Sequence, residues 1–509
     1  MIDRLWDIII IGTGIGGGTI GRALAERGHS VLFVEQGPDG PRTEQTALNP
    51  GLIDPVSRLV RGFWPDPVTG VIDGQPRTFF APLGAGVGGS SVFYAATLER
   101  PAPHDLDHSA SHPHPTGGWP VNDAQMRPYF AAAEAMYCVT GGKDPLSDAP
   151  PLPEPPLLSA GDAEIMAKLT ARGLHPYRLH AAVKYLPACA ECFGHKCPRT
   201  CKMDGRSAGV DPAMATGNAT LLDHCTVTAL RGTPTRITHI EATHHGKPVV
   251  LRGQRIVLAA GAFGSPRLLL ASTADWPQGC ANSSGLVGRN LMFHLNEMFA
   301  IWPGRAFAGP SKSVGLRDLY HVGGKRFGMV QAMGIEASYG EIVHYLRAML
   351  DRSPLRRLSG LVRLPALIGA KVLGNAKVFV GLMEDLPYLE NRVTVDPANP
   401  GRISFTYALR PELLARRKTF RRLIRQAFAG LRPLFLTHTP ELNYGHPCGT
   451  VRYGTDPATS VLTPDCRAHD LENLWVVDAS FFPTAMGVNP SLTIAANALR
   501  VADKMEGGV

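Results

Sequence analysis

The segment DIIIIGTGIGGGTIGRALAERGHSVLFVE, residues 7–35, limits what this chain can fold into more than any other stretch. Asp7–Ile11 carries four consecutive isoleucines, a run with no polar face, which suits a strand buried on both sides of a parallel sheet. Gly12, Gly14 and Gly17 follow at once in the spacing G-x-G-x-x-G. Thr19–Arg27 then reads as a helix, with Ile20, Ala23 and Leu24 on one side and Gly28 to stop it. Val31–Val34 is a second apolar strand, and Glu35 stands at its end. Together these make a complete β-α-β unit. Its glycines let the backbone approach a pyrophosphate, whose charge meets the helix N-terminus. Glu35 is placed to accept hydrogen bonds from ribose hydroxyls.

Further strands of the same sheet are spread along the 509 residues. Gln254–Ala260 reads as a strand followed by a helix over Ser265–Ser272, and Asn473–Asp478 reads as another strand. Ser491–Met505 forms the final helix, introduced by Asn489 and Pro490. Ala85–Ser91 is a second Gly/Ser loop with donors enough for another phosphate stretch. Pro101–Gly118 carries His104, His108, His112 and His114, but its prolines oppose the helix that would align them on a metal, so it reads as a solvated loop. Asp123–Tyr137 reads as a helix and Asp144–Pro156 as a connector. Hydrophobic residues at 44% against 18% charged exclude a disordered chain. No run approaches the ~18 apolar residues of a membrane span. The apolar run within Met1–Gly12 is too short for a signal peptide, so a cytoplasmic location is the default expectation.

Several blocks resemble the glucose–methanol–choline (GMC) oxidoreductases, FAD-dependent flavoproteins that oxidise alcohols. They are IIIIGTGIGGG with VLFVEQG, VGGSSVFY, VLAAGAFGSPRLLLAS with SSGLVGRNLMFH, EDLPYLENRVTVD, and HPCGTVRYGTDPATSV running into NLWVVDASFFPTAMGVNPSLTIAANALR. Ala85 and Tyr94 depart from the usual pattern, which has a basic residue and Asn there. The resemblance implies an α/β fold: a Rossmann-like FAD-binding domain assembled from residues 1–100, 203–294 and 440–509, with an α+β substrate-binding (cap) domain from residues 101–202 and 295–439. It implies that Gly12, Gly14, Gly17 and Glu35 hold the ADP part of FAD and that Gly88, Gly89 and Ser90 pass beside the pyrophosphate or flavin. Val227 corresponds to the residue whose backbone meets adenine, and Asp478 to the acid near the ribityl–pyrophosphate region. His446 and Asn489 are the implied catalytic pair.

The chemistry fits those roles. Alcohol oxidation by a flavin moves a hydride to N5 and removes the hydroxyl proton, and an imidazole titrating near neutrality suits the second task. Asn489 can hold the same oxygen without titrating. Negative charge gathering on the flavin N1/C2=O edge would be stabilised by a helix N-terminus with Pro490 at its first position. In the blander reading His446 braces a loop and Asn489 caps the last helix. The expected substrate is an alcohol or sugar.

Cys189, Cys192, Cys197 and Cys201 are spaced C-x2-C-x4-C-x3-C with Lys196, Arg199 and Lys202 among them. So dense a set points to an iron–sulfur cluster, zinc, disulfides or free structural thiols. Some bacterial GMC sugar dehydrogenases carry a three-cysteine cluster in about this region. A cluster would carry electrons away from the flavin and favour a dehydrogenase, with a quinone or protein acceptor, over an oxidase using oxygen. The net charge of +8 raises nucleic acid as a partner, but no reading motif accompanies it. His344–Lys377, with Arg347, Arg352, Arg356, Arg357, Arg363, Lys371 and Lys377, reads as a cap helix over the active site or as an interfacial helix in peripheral contact with anionic lipid. Arg416–Arg425 reads as a helix with a solvated basic face.

Overall fold

Four isoleucines in a row are accommodated only where both faces of a strand are covered. β1 (Leu5–Ile11) runs through the interior of a seven-stranded sheet, with Ile8–Ile11 buried. The computed structural model describes residues 4–40, 52–303, 312–334, 360–373 and 376–507, together with Val343, Leu346 and Leu350. α1 (Ile15–Glu26) begins four residues before the expected start, because Gly16–Gly18 already lie within its first turn. Gly28 ends it at φ +92°. β2 (Val31–Val34) pairs in parallel with β1 on one side and with Ala219–Leu222 on the other.

β3 (Lys247–Leu258) takes the opposite side of β1, with Ile8 opposite Arg255 and Ile11 opposite Leu258. It is twelve residues long and belongs to two arrangements. Lys247–Leu251 pairs antiparallel with Arg236–His244, and Ile256–Leu258 also receives a parallel neighbour, β4 (Leu474–Val476). α2 (Gly261–Ala271) leaves the end of β3, and α3 (Ser491–Glu506) packs against both α1 and the helix Asp123–Met136. The sheet therefore draws strands from the beginning, middle and end of the chain.

A second layer is a six-stranded antiparallel sheet. Its order is Leu434–Phe435, His294–Ile301, Lys377–Glu384, Val330–Ala332, Val314–Leu316 and Tyr177–Arg178. The helix Pro411–Ala427 contributes Leu413, Phe420 and Ile424 to the core beneath it. Val68–Ile72 and Gln75–Phe79 join Ser404–Tyr407 and Arg392–Thr394 in a smaller sheet.

Three readings of charged segments change. Pro101–Gly118 is not simply solvated: Pro103–Leu106 is one helical turn, His114 is buried, and the rings of His104, His112 and His321 gather within 4.4–5.5 Å of one another. Beneath them Asp105 and Glu384 both pair with Arg326, at 2.9 and 2.7 Å. Lys377 is not part of a basic helix; it opens a strand, and its ammonium is buried against Asp162. Arg416 points inward, donating to the carbonyls of Arg326 and Glu384, rather than into solvent. Arg347, Arg352, Arg356 and Arg357 lie outside the described residues. The helix Arg363–Leu373 turns Leu364, Leu367 and Ile368 outward beside Lys371. Among the described residues no helix is long and apolar enough to cross a membrane.

Candidate active site

The carboxyl ends of β1, β2 and β3 open into a cavity of about 490 Å³ that continues to the face of the antiparallel layer. Gly12 closes its nucleotide end. Its φ is +97°, and a Cβ there would sit 2.4 Å from the Ala259 carbonyl oxygen, so no other residue fits. Gly14 is the opposite case: a Cβ would meet nothing within 4 Å, because the space in front of it belongs to the cavity. Gly14 is also the N-cap of α1 and offers no side-chain cap, which leaves the first N–H groups of the helix for a ligand anion. This cradle fits the pyrophosphate of FAD.

Thr13 holds the nucleotide end together. Its hydroxyl donates to Glu35 Oε2 at 2.7 Å and accepts from the Gly88 N–H at 3.1 Å, tying the first glycine turn to the second. Glu35 Oε1 accepts from the Gly37 N–H. Burial raises the Glu35 pKa, and the Thr13 and Gly37 donors oppose the rise. Asp478 is spanned similarly: Oδ2 accepts from Gly261 N–H and Ser265, and Oδ1 from Ser480. Of the expected residues, Gly12, Gly14, Glu35, Gly89, Ser90, Val227, His446, Asp478, Asn489 and Pro490 line the cavity. Gly17 and Gly88 stand behind its wall.

At the other end stand His446, Asn489, Asn296, Gln331 and Asn443. His446 Nδ1 lies 3.1 Å from Nδ1 of His294. The opposite nitrogen of His294, Nε2, is 3.0 Å from the Met486 carbonyl oxygen, which can only accept. A neutral His294 therefore carries its proton on Nε2 and presents a bare Nδ1. The shorter contact has His446 donating from Nδ1 to His294, which leaves Nε2 as the lone pair; the Asn443 amide nitrogen stands 3.3 Å from the same Nδ1. Burial first, then His294 and Lys312, push the His446 pKa well below its ordinary value. Its titration is thus displaced from the neutral range expected of it. His294, with a pKa lowered to about 4 by burial, is held neutral as well.

Asn489 is fixed by a residue the sequence did not reveal. Gln331 Nε2 donates to Asn489 Oδ1 at 3.0 Å, so the Asn489 amide N–H groups remain for another oxygen. Gln331 Oε1 is buried and has no hydrogen-bond partner among the described residues. The final helix starts at Ser491 with Pro490 as its N-cap and no side-chain cap. Pro490 is therefore not the first helical residue, and the Asn489 amide oxygen is committed to Gln331 rather than to capping. Tyr94 reaches past the cavity wall to the Met203 carbonyl.

The cysteine segment lies behind the wall, joined to it by the Gly194 N–H on the Tyr94 carbonyl and by buried Lys202 on the carbonyls of Val92 and Tyr94. Its four cysteines are free thiols, Cys197 and Cys201 buried and Cys189 and Cys192 partly so. Among the described residues no group of three or more His, Cys, Asp or Glu side chains is arranged to hold a metal ion.

His294 and Gln331 escape sequence reasoning because each earns its role through a distant partner. The one available signal was His294, which ends the block SSGLVGRNLMFH.

Comparison with known proteins agrees with this architecture. Residues 7–296 and 387–498 match the two sequence models of the GMC oxidoreductases, well over half of the chain. The chain is 29% identical to paromamine 6'-oxidase of Streptomyces fradiae, over 99% of this chain and 92% of the relative. It is 28% identical to 2-methyl-1,2-propanediol dehydrogenase of Mycolicibacterium austroafricanum, over 98% and 94%. Pyridoxine 4-oxidase from Mesorbium loti superposes with a TM-score of 0.65 at 20% identity, covering 99% of this chain and all of that one, which speaks for the fold alone. The chain belongs to the FAD-dependent GMC oxidoreductases.

Proposed function

We propose that the protein oxidises a primary or secondary alcohol of a sugar-like or polyol molecule to the carbonyl. The names of its relatives support that substrate class, since they include a paromamine oxidase and a propanediol dehydrogenase. The observation that carries the reading is the His294–His446 pair, which leaves one imidazole nitrogen at a cavity end lined also by several amides. FAD, when bound, supplies the hydride acceptor. Gly12, Gly14 and Glu35 would hold its ADP portion, with Val227 toward adenine and Asp478 near the ribityl chain. His446 Nε2 takes the hydroxyl proton. Asn489, oriented by Gln331, donates to the same oxygen and holds it during the transfer. The first turn of α3 faces the cavity with its N–H groups uncapped, which favours negative charge there.

Replacing His446 by Ala should leave FAD bound and slow alcohol-dependent reduction by roughly 10²–10⁴-fold, the reach of general base catalysis. Because the His446 pKa is depressed, the wild-type rate should stay level from neutral pH down past 6.5 and fall only in more acid solution. Anaerobic stopped-flow absorbance with an alcohol substrate measures both. A variant reducing at the wild-type rate with the same pH profile would remove His446 from the mechanism.

For the electron acceptor we favour a quinone, protein or dye over oxygen; the test is dye turnover without oxygen against peroxide formed with it. The cysteines bear on the same choice. An iron–sulfur cluster there would carry electrons outward, whereas the lack of a three-ligand arrangement among the described residues favours free thiols. Iron and acid-labile sulfide in anaerobically purified protein decide between them. The outward leucines of Arg363–Leu373 beside its basic residues support contact with anionic lipid over a cap helix; sedimentation with anionic vesicles tests it.

A further inference from the structure

Lys312 lines the same cavity as His446 and Asn489 and is 7% exposed. Its Nζ bonds to the Thr97 hydroxyl, and among the described residues no carboxylate forms an ion pair with it. Its stem and the Phe193 ring both close on Gly334. The acid that acts on it, Glu99, is held by Arg317 at 2.8 Å and by His180 at 3.0 Å, and Arg317 also pairs with Asp144 at 3.1 Å. The acids that line the cavity, Glu35 and Asp478, are bonded at the nucleotide end to Thr13, Gly37, Gly261, Ser265 and Ser480. Around the His446 end the other polar groups include the amides of Asn296, Gln331, Asn443 and Asn489 and the Thr97 hydroxyl, none of them charged. Among the described residues, the side chains lining this end can therefore carry only positive charge, and no carboxylate pairs directly with Lys312.

A buried ammonium without a counter-ion is costly, and a ligand carboxylate would remove that cost. We propose that Lys312 forms a carboxylate subsite, so that the preferred substrate is an alcohol that also carries a carboxylate, such as a hydroxy acid or sugar acid. The carboxylate sits at Lys312 and the hydroxyl at His446 and Asn489. This deepens the alcohol-oxidation reading and rests on it for the hydroxyl, but not for the anion. The same charge disfavours alcohols bearing an ammonium group.

Burial lowers the Lys312 amine to about 7, with Glu99 opposing. The groups acting on it are Glu99, backed by His180 and Arg317, and the neutral His446. An anion selects the protonated amine. Carboxylate affinity should thus be highest below pH 7 and weaken as pH rises above it.

The experiment titrates FAD-loaded protein with propanoate and with propanamide, its uncharged isostere, by calorimetry and by perturbation of the visible flavin spectrum at pH 6.5 and 9. Wild type should bind propanoate at least tenfold more tightly than propanamide at pH 6.5, with a smaller ratio at pH 9. Lys312→Met should erase the preference and Lys312→Arg should retain it. Should Lys312→Met fail to hold FAD, the wild-type pH comparison and Lys312→Arg still decide. Equal affinity for the two probes in wild type, or an unchanged preference in Lys312→Met, overturns the proposal. Neither probe has an alcohol to oxidise, so the result is independent of the reaction. Oxidation of plain alcohols with no preference for acids would leave the proposed activity standing and sink the subsite alone.

Discussion

The proton on one histidine decides which nitrogen of another can accept. His294 is pinned by the Met486 carbonyl, and in the proposed reaction this leaves Nε2 of His446, rather than Nδ1, to act as the base. Replacing His294 by Leu removes a buried hydrogen bond and frees the imidazole to turn. The expected loss is about tenfold in kcat, from ~1–1.5 kcal/mol for such a bond. The pH profile should shift toward neutrality as well, a change that a structural defect would not produce. At the nucleotide end, Glu35→Ala should weaken FAD retention by roughly 10–100-fold, as a hydrogen bond to a charged group is worth about 1.5–3 kcal/mol. Ultrafiltration of the released flavin measures it. Glu35, Gly12 and Gly14 were legible because the β-α-β spacing is local in sequence. His446 and Asn489 were legible through the blocks HPCGT and GVNP. Gln331 and Lys312 were not, since nothing near either residue in the chain announces the cavity they face.

Elements that follow one periodicity were read well, and those defined by a partner were not. β2 and the Ile8–Ile11 part of β1 are wholly apolar, whereas Ala219–Leu222 has the same role at the sheet edge with an unremarkable four-residue sequence. The loop with four histidines looked exposed by composition. Its burial comes from Arg326, Tyr320 and Glu384, which arrive from more than two hundred residues away. Lys377 shows the energetic side of such long-range pairing. It anchors its strand to the helix Ala160–Thr170 through Asp162, with both side chains almost wholly buried. Lys377→Met should leave the Asp162 charge uncompensated and cost about 3–5 kcal/mol. Lys377→Met combined with Asp162→Leu should recover much of that loss. Urea denaturation of the three proteins, read by circular dichroism, tests this.

The cavity lies between two sheets whose strands are interleaved in the chain, so a ligand filling it bridges both layers. FAD binding should stabilise the fold by about 4 kcal/mol when free FAD stands a thousandfold above its Kd. Apoprotein prepared by gentle acid removal should melt at a lower temperature than the holoprotein, and both layers should melt together. Differential scanning calorimetry gives the comparison. β3 adds a consequence for the newly made chain. Its edge beyond β1 is filled by β4, a strand synthesised about two hundred residues later. Until β4 emerges, Ile256–Leu258 presents unpaired backbone along an apolar strand, the kind of edge through which chains associate. The molecule thus carries its greatest risk of aggregation during translation rather than after it. Soluble yield should rise when synthesis is slowed or when a chaperone shields that edge until the last strand is in place.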